Sequence, residues 1–335
     1  MIKVLKSGLM TTIQDLGRYG LQKYGIITSG AMDKISLRLA NLLVGNPENA
    51  AAIEMILLGS SFLFQSDCLI AVTGADFSPT IDNRPLPMWQ PVLVKKGALL
   101  NFKAAKTGCC SYLAISGSFQ LPKIMNSRST YLRAHIGGLE GRALRENDTL
   151  ALHKVNKTAE TIIKQIKDKA SENGFKPLNW SLSKEFRLKS REKKVLRFLK
   201  GNEYHLFTKE SQAQFSSVSF RVTPQSDRMG YRLKGAALKT LPDCEMISEA
   251  VTCGTVQIPP DGNPILLLAD HQTAGGYPRI AQIISADLSS AAQTKPGEKI
   301  EFREITLEEA QRLLIEQEKK IDRLKKSIIT KWRYI

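Results

Sequence analysis

Apolar residues along the chain fall in short runs bounded by glycine, proline, asparagine or aspartate. SFLFQ (61–65), CLIAVTG (68–74), PVLVKKG (91–97) and SYLAISG (111–117) mark the first half. TVQIPPDG (255–262), PILLLAD (264–270), IAQIIS (280–285) and KIEFREI (299–305) mark the second. Runs of this length between turn residues predict strands, and many short strands without alternating long helices predict barrels or sandwiches. Helical spacing is rarer. Met32, Ile35, Leu39 and Leu42 predict one helix from about Asp33 to Val44, stopped by Gly45-Asn46-Pro47. A second begins at Thr306, where Thr306 and Glu309 form a capping box. Leu307, Ala310, Leu314, Ile321, Leu324 and Ile328 give it an apolar stripe, interrupted by Gln317.

The two halves share landmarks. Pro47, Glu54 and Gly59 match Pro242, Glu249 and Gly254 at an offset of 195, and Gly97 and Phe102 match Gly297 and Phe302 at an offset of 200. Matches in the same order predict two copies of one domain. The expected layout is a first domain over 1–152, a basic connector over 153–194, a second domain over 195–305, and an amphipathic helix with a basic tail over 306–335. The connector carries a weak helical stretch around Thr161–Ala170, with Trp180 and Phe186 as residues able to tack it onto a domain.

Charge does not change this picture. The formal net charge is +16, but 151–200 carries +9 and 319–335 carries +6, so nearly all of the excess sits in the connector and the tail. A nucleic-acid groove combines basic residues with stacking aromatics on a folded surface, which this distribution does not resemble. No run of about 18 apolar residues is present to span a membrane. The N-terminus lacks the apolar stretch of a signal peptide, and five scattered cysteines suit a reducing cytoplasm.

Several chemistries are missing. There is no GxxxxGK[ST] loop, no GxGxxG after a strand, no HExxH and no GxSxG. The four histidines lie far apart, so no metal site is expected. Four polar, glycine-bearing segments stand out instead. The first, 11–20, holds Asp15, Gly17 and Arg18. The second joins Ser127-Arg128-Ser129-Thr130-Tyr131 to the Gly137-Gly138 and Gly141-Arg142 turn. The third holds Asp227, Arg228 and Arg232, and the fourth holds Asp270, His271, Gln272, Gly275 and Gly276. A guanidinium fork captures carboxylate, carbamate or phosphate, and glycines let backbone N–H groups approach an anion. Asp270 and Gln272 suit the orientation of an amide. Each arginine can equally pin a turn as an ion pair, and each glycine can serve a positive φ.

These segments also carry a resemblance. TTIQDLGRYG, SGAMD, ANLLVGNPENAAAIE, SRSTY, GGLEGRAL, SDRMGYRL, PPDGNPILLLADHQTAGGYP and KPGEKIEF look like the signature stretches of the KipA family of 5-oxoprolinase subunits. That family is similar to the second subdomain of the urea carboxylase carboxyltransferase region. The match runs from about residue 3 to 315, omitting the connector and the basic tail. It implies a mainly β chain of two tandem cyclophilin-like β-barrel domains, with few helices besides the C-terminal one. It further implies a KipI-like partner and a lactam-utilisation-like partner, with which such a subunit hydrolyses 5-oxoproline to glutamate using ATP. ATP would enter at the level of the complex, and the chain alone would be inactive. Two other roles attach to the resemblance: sequestering a KipI-like inhibitor of a sporulation histidine kinase, and biotin-dependent carboxyl transfer. The substrate-binding candidates are Arg18, Arg128, Asp227, Arg228, Arg232, Asp270, Gln272, Gly275 and Gly276. Asn126, Ser118 and Asn147 stand where the family pattern has glycine. Asparagine tolerates the left-handed conformation, so the two asparagines are expected to keep their turns.

Overall fold

The computed structural model describes residues 1–155, 157–167, 174–187, 193–242 and 246–333. The chain divides into two compact units that are discontinuous in sequence. One comprises Met1–Gly17, Asp33–Ser190 and Asp322–Ile335; the other comprises Arg18–Met32 and Arg191–Ile321. The described helices are α1 (Lys34–Leu43), α2 (Lys157–Lys167), α3 (Lys209–Ser217), α4 (Leu288–Ala292) and α5 (Leu307–Arg333), besides short 3₁₀ turns. The rest of the regular structure is strand, so the chain is mainly β with few helices and a C-terminal helix, as expected.

The first unit has two six-stranded sheets. One runs in the order Thr149–Leu150, Ile2–Lys6, Ser61–Phe64, Leu99–Asn101, Thr80–Ile81, Arg84–Pro85. The other runs Phe175–Pro177, Val92–Val94, Cys68–Asp76, Thr107–Ile115, Ala52–Ile56, Met10–Gln14. Alternation turns Ile2, Val4, Phe62 and Phe64 into a core shared with Ile53, Ile70, Val72 and Leu113 from the second sheet. The second sheet is covered on its other face by α1, so Cys68–Ala75 is buried at every position and reads as a continuous apolar run rather than an alternating one. The side chain of Asp33 caps α1 by accepting from the Ser36 amide.

The second unit is a closed seven-stranded barrel in the order Lys193–Lys200, Arg279–Ile283, Thr255–Gln257, Ile265–Leu267, Gly230–Lys234, Phe220–Val222, Lys299–Glu304. The barrel closes through one parallel pair, Lys193–Lys200 with Lys299–Glu304. Phe198, Phe215, Phe220 and Phe302 fill it, with the Phe215 and Phe302 rings stacked at 4.3 Å.

One expectation about the repeat is corrected by this architecture: the 195-residue offset does not mark equivalent places. Glu54 is buried in a six-stranded sheet, whereas Glu249 is exposed in the two-stranded ribbon Glu249–Ala250/Ala274–Gly275. The 200-residue offset does hold. Leu99–Asn101 pairs with Ser61–Phe64 as Lys299–Glu304 pairs with Phe220–Val222, and the amides of Gly97 and Gly297 donate to Phe64 and Val222. Both glycines have φ near +90°, so a tight turn that only glycine enters freely leads into the second strand of each pair.

The basic segment between the halves is also more integrated than a solvated connector. Phe175–Pro177 pairs with Val92–Val94 at a sheet edge, Leu178 and Leu182 are buried, and Trp180 meets Trp332 of α5 edge-to-face. Lys194 lies inside a barrel strand, donating to the Gln293 carbonyl and facing Glu298. The expected helical stretch is α2, although residues 168–170 lie outside the described residues.

On α5 the buried face is Ala310, Ile321, Ile328 and Trp332, with Gln317 donating to the Ala286 carbonyl; Leu307 and Leu314 are exposed. The expected face is thus the buried one from Gln317 onward, where Gln317 finds a backbone acceptor and Trp332 an aromatic partner, and at its start only Ala310 is covered. Asn126, Asn147 and Ser118 all take positive φ (62°, 72° and 58°), so the turns survive the loss of glycine.

Candidate substrate-binding site

In the second unit the third and fourth polar segments meet. The Asp270 amide donates to the Arg228 carbonyl, which lays Ala269-Asp270-His271 alongside Arg228-Met229. The side chains then form a buried fork. Arg228 Nε donates to Asp270 Oδ2 at 2.8 Å and Nη2 to Oδ1 at 2.9 Å, while Nη2 also reaches the Gly30 carbonyl at 2.6 Å. Ser29 Oγ donates to Asp270 Oδ1 at 2.7 Å. Ser29 has φ 54° and Gly30 φ 93°, so the pair braces a turn that is costly for a serine. Arg18 belongs to this unit, is 1% exposed, and donates its amide to the Thr28 carbonyl.

The remaining candidates separate. Asp227 Oδ1 accepts from the Met229 and Gly230 amides, which is turn chemistry, and Arg232 is exposed on its barrel strand. Gln272 donates to Gln257 Oε1 at 3.3 Å. The Gly275 backbone lies against the same Gln257 side chain, and Gly276 lies near Ser248 Oγ. The buried His271 places Nδ1 2.6 Å from the Gln272 carbonyl.

In the first unit Asp15 is the centre. Its Oδ1 accepts from the Gly17 amide at 2.8 Å, Ser127 Oγ at 2.7 Å and Ser129 Oγ at 2.5 Å, and its Oδ2 accepts from the Arg128 amide at 2.6 Å. The Arg128 side chain turns to the Leu121 carbonyl. Arg142 is held by Asp148 at 2.7 Å and by Glu140. Hydrogen bonding from Arg142 is the main reason the Asp148 carboxyl sits below the usual range.

Sequence patterns do not point to Ser29, Gln257 or the buried chain Glu54–Tyr112–Asp33. The Tyr112 hydroxyl donates to Glu54 Oε2 at 2.6 Å and accepts from the Asp33 amide at 2.7 Å. A glutamate and a tyrosine facing the same way within apolar strands are the available signal. Burial, reinforced by the Glu54 charge, pushes the Tyr112 phenol well above its ordinary range near 10. A raised phenol stabilises the fold below its unfolded pKa, and that contribution is lost as pH rises beyond it. Melting temperature should therefore fall more between pH 9 and pH 11 in the wild type than in Tyr112→Phe. Equal falls would remove Tyr112 as the cause.

Among the described residues no group of three or more histidine, cysteine, aspartate or glutamate side chains is placed to hold a metal ion. No described helix is long and apolar enough to cross a membrane.

A mainly β chain pairing a two-sheet unit with a closed barrel is the architecture of a carboxyltransferase region. The crystal structure of the K. lactis urea amidolyase matches 96% of the chain with a TM-score of 0.85 at 28% identity, and the chain spans 20% of that protein. Residues 24–304 match the family described as carboxyltransferase domain, subdomains A and B, and the chain belongs to that family. Its similarity is near full length to a 5-oxoprolinase subunit of Haemophilus influenzae, at 40% identity over 98% of the chain and 99% of the relative. The corresponding 5-oxoprolinase subunit of Escherichia coli is 39% identical over 97% of each.

Proposed function

We propose that this chain is a subunit of an ATP-dependent 5-oxoprolinase, which opens 5-oxo-L-proline to L-glutamate. The observation that carries the reading is the similarity, end to end, to two proteins named as 5-oxoprolinase subunits. A lactam is an unactivated amide. Transfer of the ATP γ-phosphoryl group to its carbonyl oxygen makes that oxygen a leaving group. Water then adds at the ring carbon and the C–N bond breaks, the ring nitrogen leaving as the amine with a proton, which gives an acyl phosphate. A second water displaces phosphate from it to give glutamate. The sequence holds no Walker-type loop, which agrees with nucleotide being handled at the level of a complex. A KipI-like and a lactam-utilisation-like subunit are the partners in this reading.

Within the chain the second unit is the better place for substrate. Gln272 and the Gly275-Gly276 backbone supply amide-matching groups, while Arg228 and Asp270, already paired, act as positioning residues. Arg18, in the same unit, remains a candidate for contact with the substrate carboxylate, whereas Asp227 serves a turn and Arg232 the exposed side of a barrel strand.

The test is reconstitution. The purified chain should not release glutamate from 5-oxoproline, and co-expression with its two partner subunits should give ATP-dependent release. Hydrolysis by the chain alone would overturn the multi-subunit reading. The likeness to urea amidolyase favours one alternative, biotin-dependent carboxyl transfer to a urea-like substrate. Activity that needs a biotinylated carrier instead of the lactam-utilisation-like subunit would favour it.

A further inference from the structure

Gln257 lies in the barrel strand Thr255–Gln257 and is 1% exposed. Its carboxamide is held by two long contacts. Gln272 Nε2 donates to Gln257 Oε1 at 3.3 Å, and Gln257 Nε2 donates to the Tyr277 carbonyl at 3.3 Å. Both lie beyond the usual 2.7–3.2 Å of a strong N–H···O bond. A buried and a half-buried side-chain amide therefore face one another with their hydrogen-bonding capacity weakly used.

The glycines of the fourth segment explain why this place exists. A Cβ at position 275 would fall 2.4 Å from Gln257 Nε2, and one at 276 would fall 3.2 Å from Ser248 Oγ. Neither glycine has a positive φ, so backbone freedom is not what glycine supplies here. It supplies room. The strip that comes this close is the ribbon Glu249–Ala250/Ala274–Gly275, only two residue pairs long. Its flanks are open to solvent: Ile247 is 86% exposed and Tyr277 44% exposed. The ribbon is fastened to the barrel by Arg279, which binds Glu203 and Glu249 and donates to the Ala250 carbonyl at 3.2 Å. Glu249 is half-exposed, so its own ion pair with Arg279 lies on the solvent side and is weak, while Arg279 stays anchored to the barrel by the buried Glu203.

We infer that Gln257 and Gln272 form a recognition site for a small cis-amide, covered by the Glu249–Ala250/Ala274–Gly275 ribbon. A lactam presents its N–H and C=O on one edge. A carboxamide presents C=O and N–H on one edge in the complementary order, so the two make a pair of parallel hydrogen bonds. Entry requires the short ribbon to lift, and the substrate amide then replaces the two 3.3 Å contacts. Urea offers the same edge, and an amine ring without a carbonyl does not. Naming 5-oxoproline as the natural occupant rests on the function proposed above; the site itself does not.

The experiment has two arms. In the reconstituted complex, Gln257→Leu should raise KM for 5-oxoproline roughly ten- to a hundredfold, the loss of two hydrogen bonds. Gly275→Ala should raise it in the same direction while leaving Gln257 in place. The second arm needs no substitution and no turnover. Side-chain amide resonances of ¹⁵N-glutamine in the wild-type chain are titrated with 2-pyrrolidinone, with urea and with pyrrolidine. Shifts of the Gln257 and Gln272 amides with the first two ligands and not the third are expected. Wild-type KM in both variants, or no shift with 2-pyrrolidinone, overturns the site. A wild-type complex inert toward 5-oxoproline whose glutamine amides still shift would sink the hydrolase reading and leave the site standing.

Discussion

Arg228→Ala is expected to destabilise the second unit by about 3–5 kcal/mol, the usual cost of removing one partner from a buried ion pair. The guanidinium is 4% exposed and committed to both Asp270 oxygens and to the Gly30 carbonyl. Removing it leaves the Asp270 carboxylate in low dielectric with Ser29 as a donor. Arg228→Lys should cost nearly as much, because one ammonium cannot span two carboxylate oxygens and a carbonyl in the same plane. The double change Arg228→Met with Asp270→Leu should cost less than either single loss, since no charge is then stranded. Urea unfolding of wild type, these three variants and Asp270→Leu measures this. An Arg228→Ala protein as stable as wild type, with binding lost, would restore the arginine to direct contact with a ligand anion. Read from sequence as a ligand contact, Arg228 predicts a variant that folds normally; its buried partners reverse that expectation.

Asp15→Ala is expected to cost at least about 3 kcal/mol in the first unit. Four donors converge on this carboxylate: two backbone amides and two serine hydroxyls. Each buried donor left without an acceptor costs about 1–3 kcal/mol. Asp15→Asn keeps the shape but turns an N–H₂ toward donors, so it should lose most of the same energy. A midpoint shift in urea with an unchanged slope would report the effect. A loss below about 1 kcal/mol in Asp15→Ala would mean that water replaces the carboxylate and that the Ser127-Arg128-Ser129 turn holds without it.

The segments that matter are visible in the sequence as motifs, and their convergence is not. Residues 11–17 and 127–130 lie more than a hundred positions apart, yet Thr130 donates to the Ile13 carbonyl and Asp15 gathers the serines. Asp227 and Arg228 are neighbours in sequence; one caps an exposed turn and the other is buried against Asp270. Nothing local distinguishes them, because the difference is what lies opposite. Gln257 escapes notice for the same reason. In sequence it is one polar residue between apolar ones, and only the approach of Gly275 shows that its amide is enclosed.

The sequence by itself determined the strand-and-turn content, the cap and stop of α1 at Asp33 and Gly45, the capping of α5 at Thr306, and the glycine turns at 97 and 297. Those features depend on φ preferences, side-chain caps and periodicity, which act within a few residues. Tertiary structure alone decided that one unit closes through a parallel pairing of Lys193–Lys200 with Lys299–Glu304 while the other is built from two sheets. It also decided how far along α5 the apolar stripe is covered and which arginine is internal. Those outcomes come from burial, which pairs groups across the fold by what each excludes from water and not by distance along the chain.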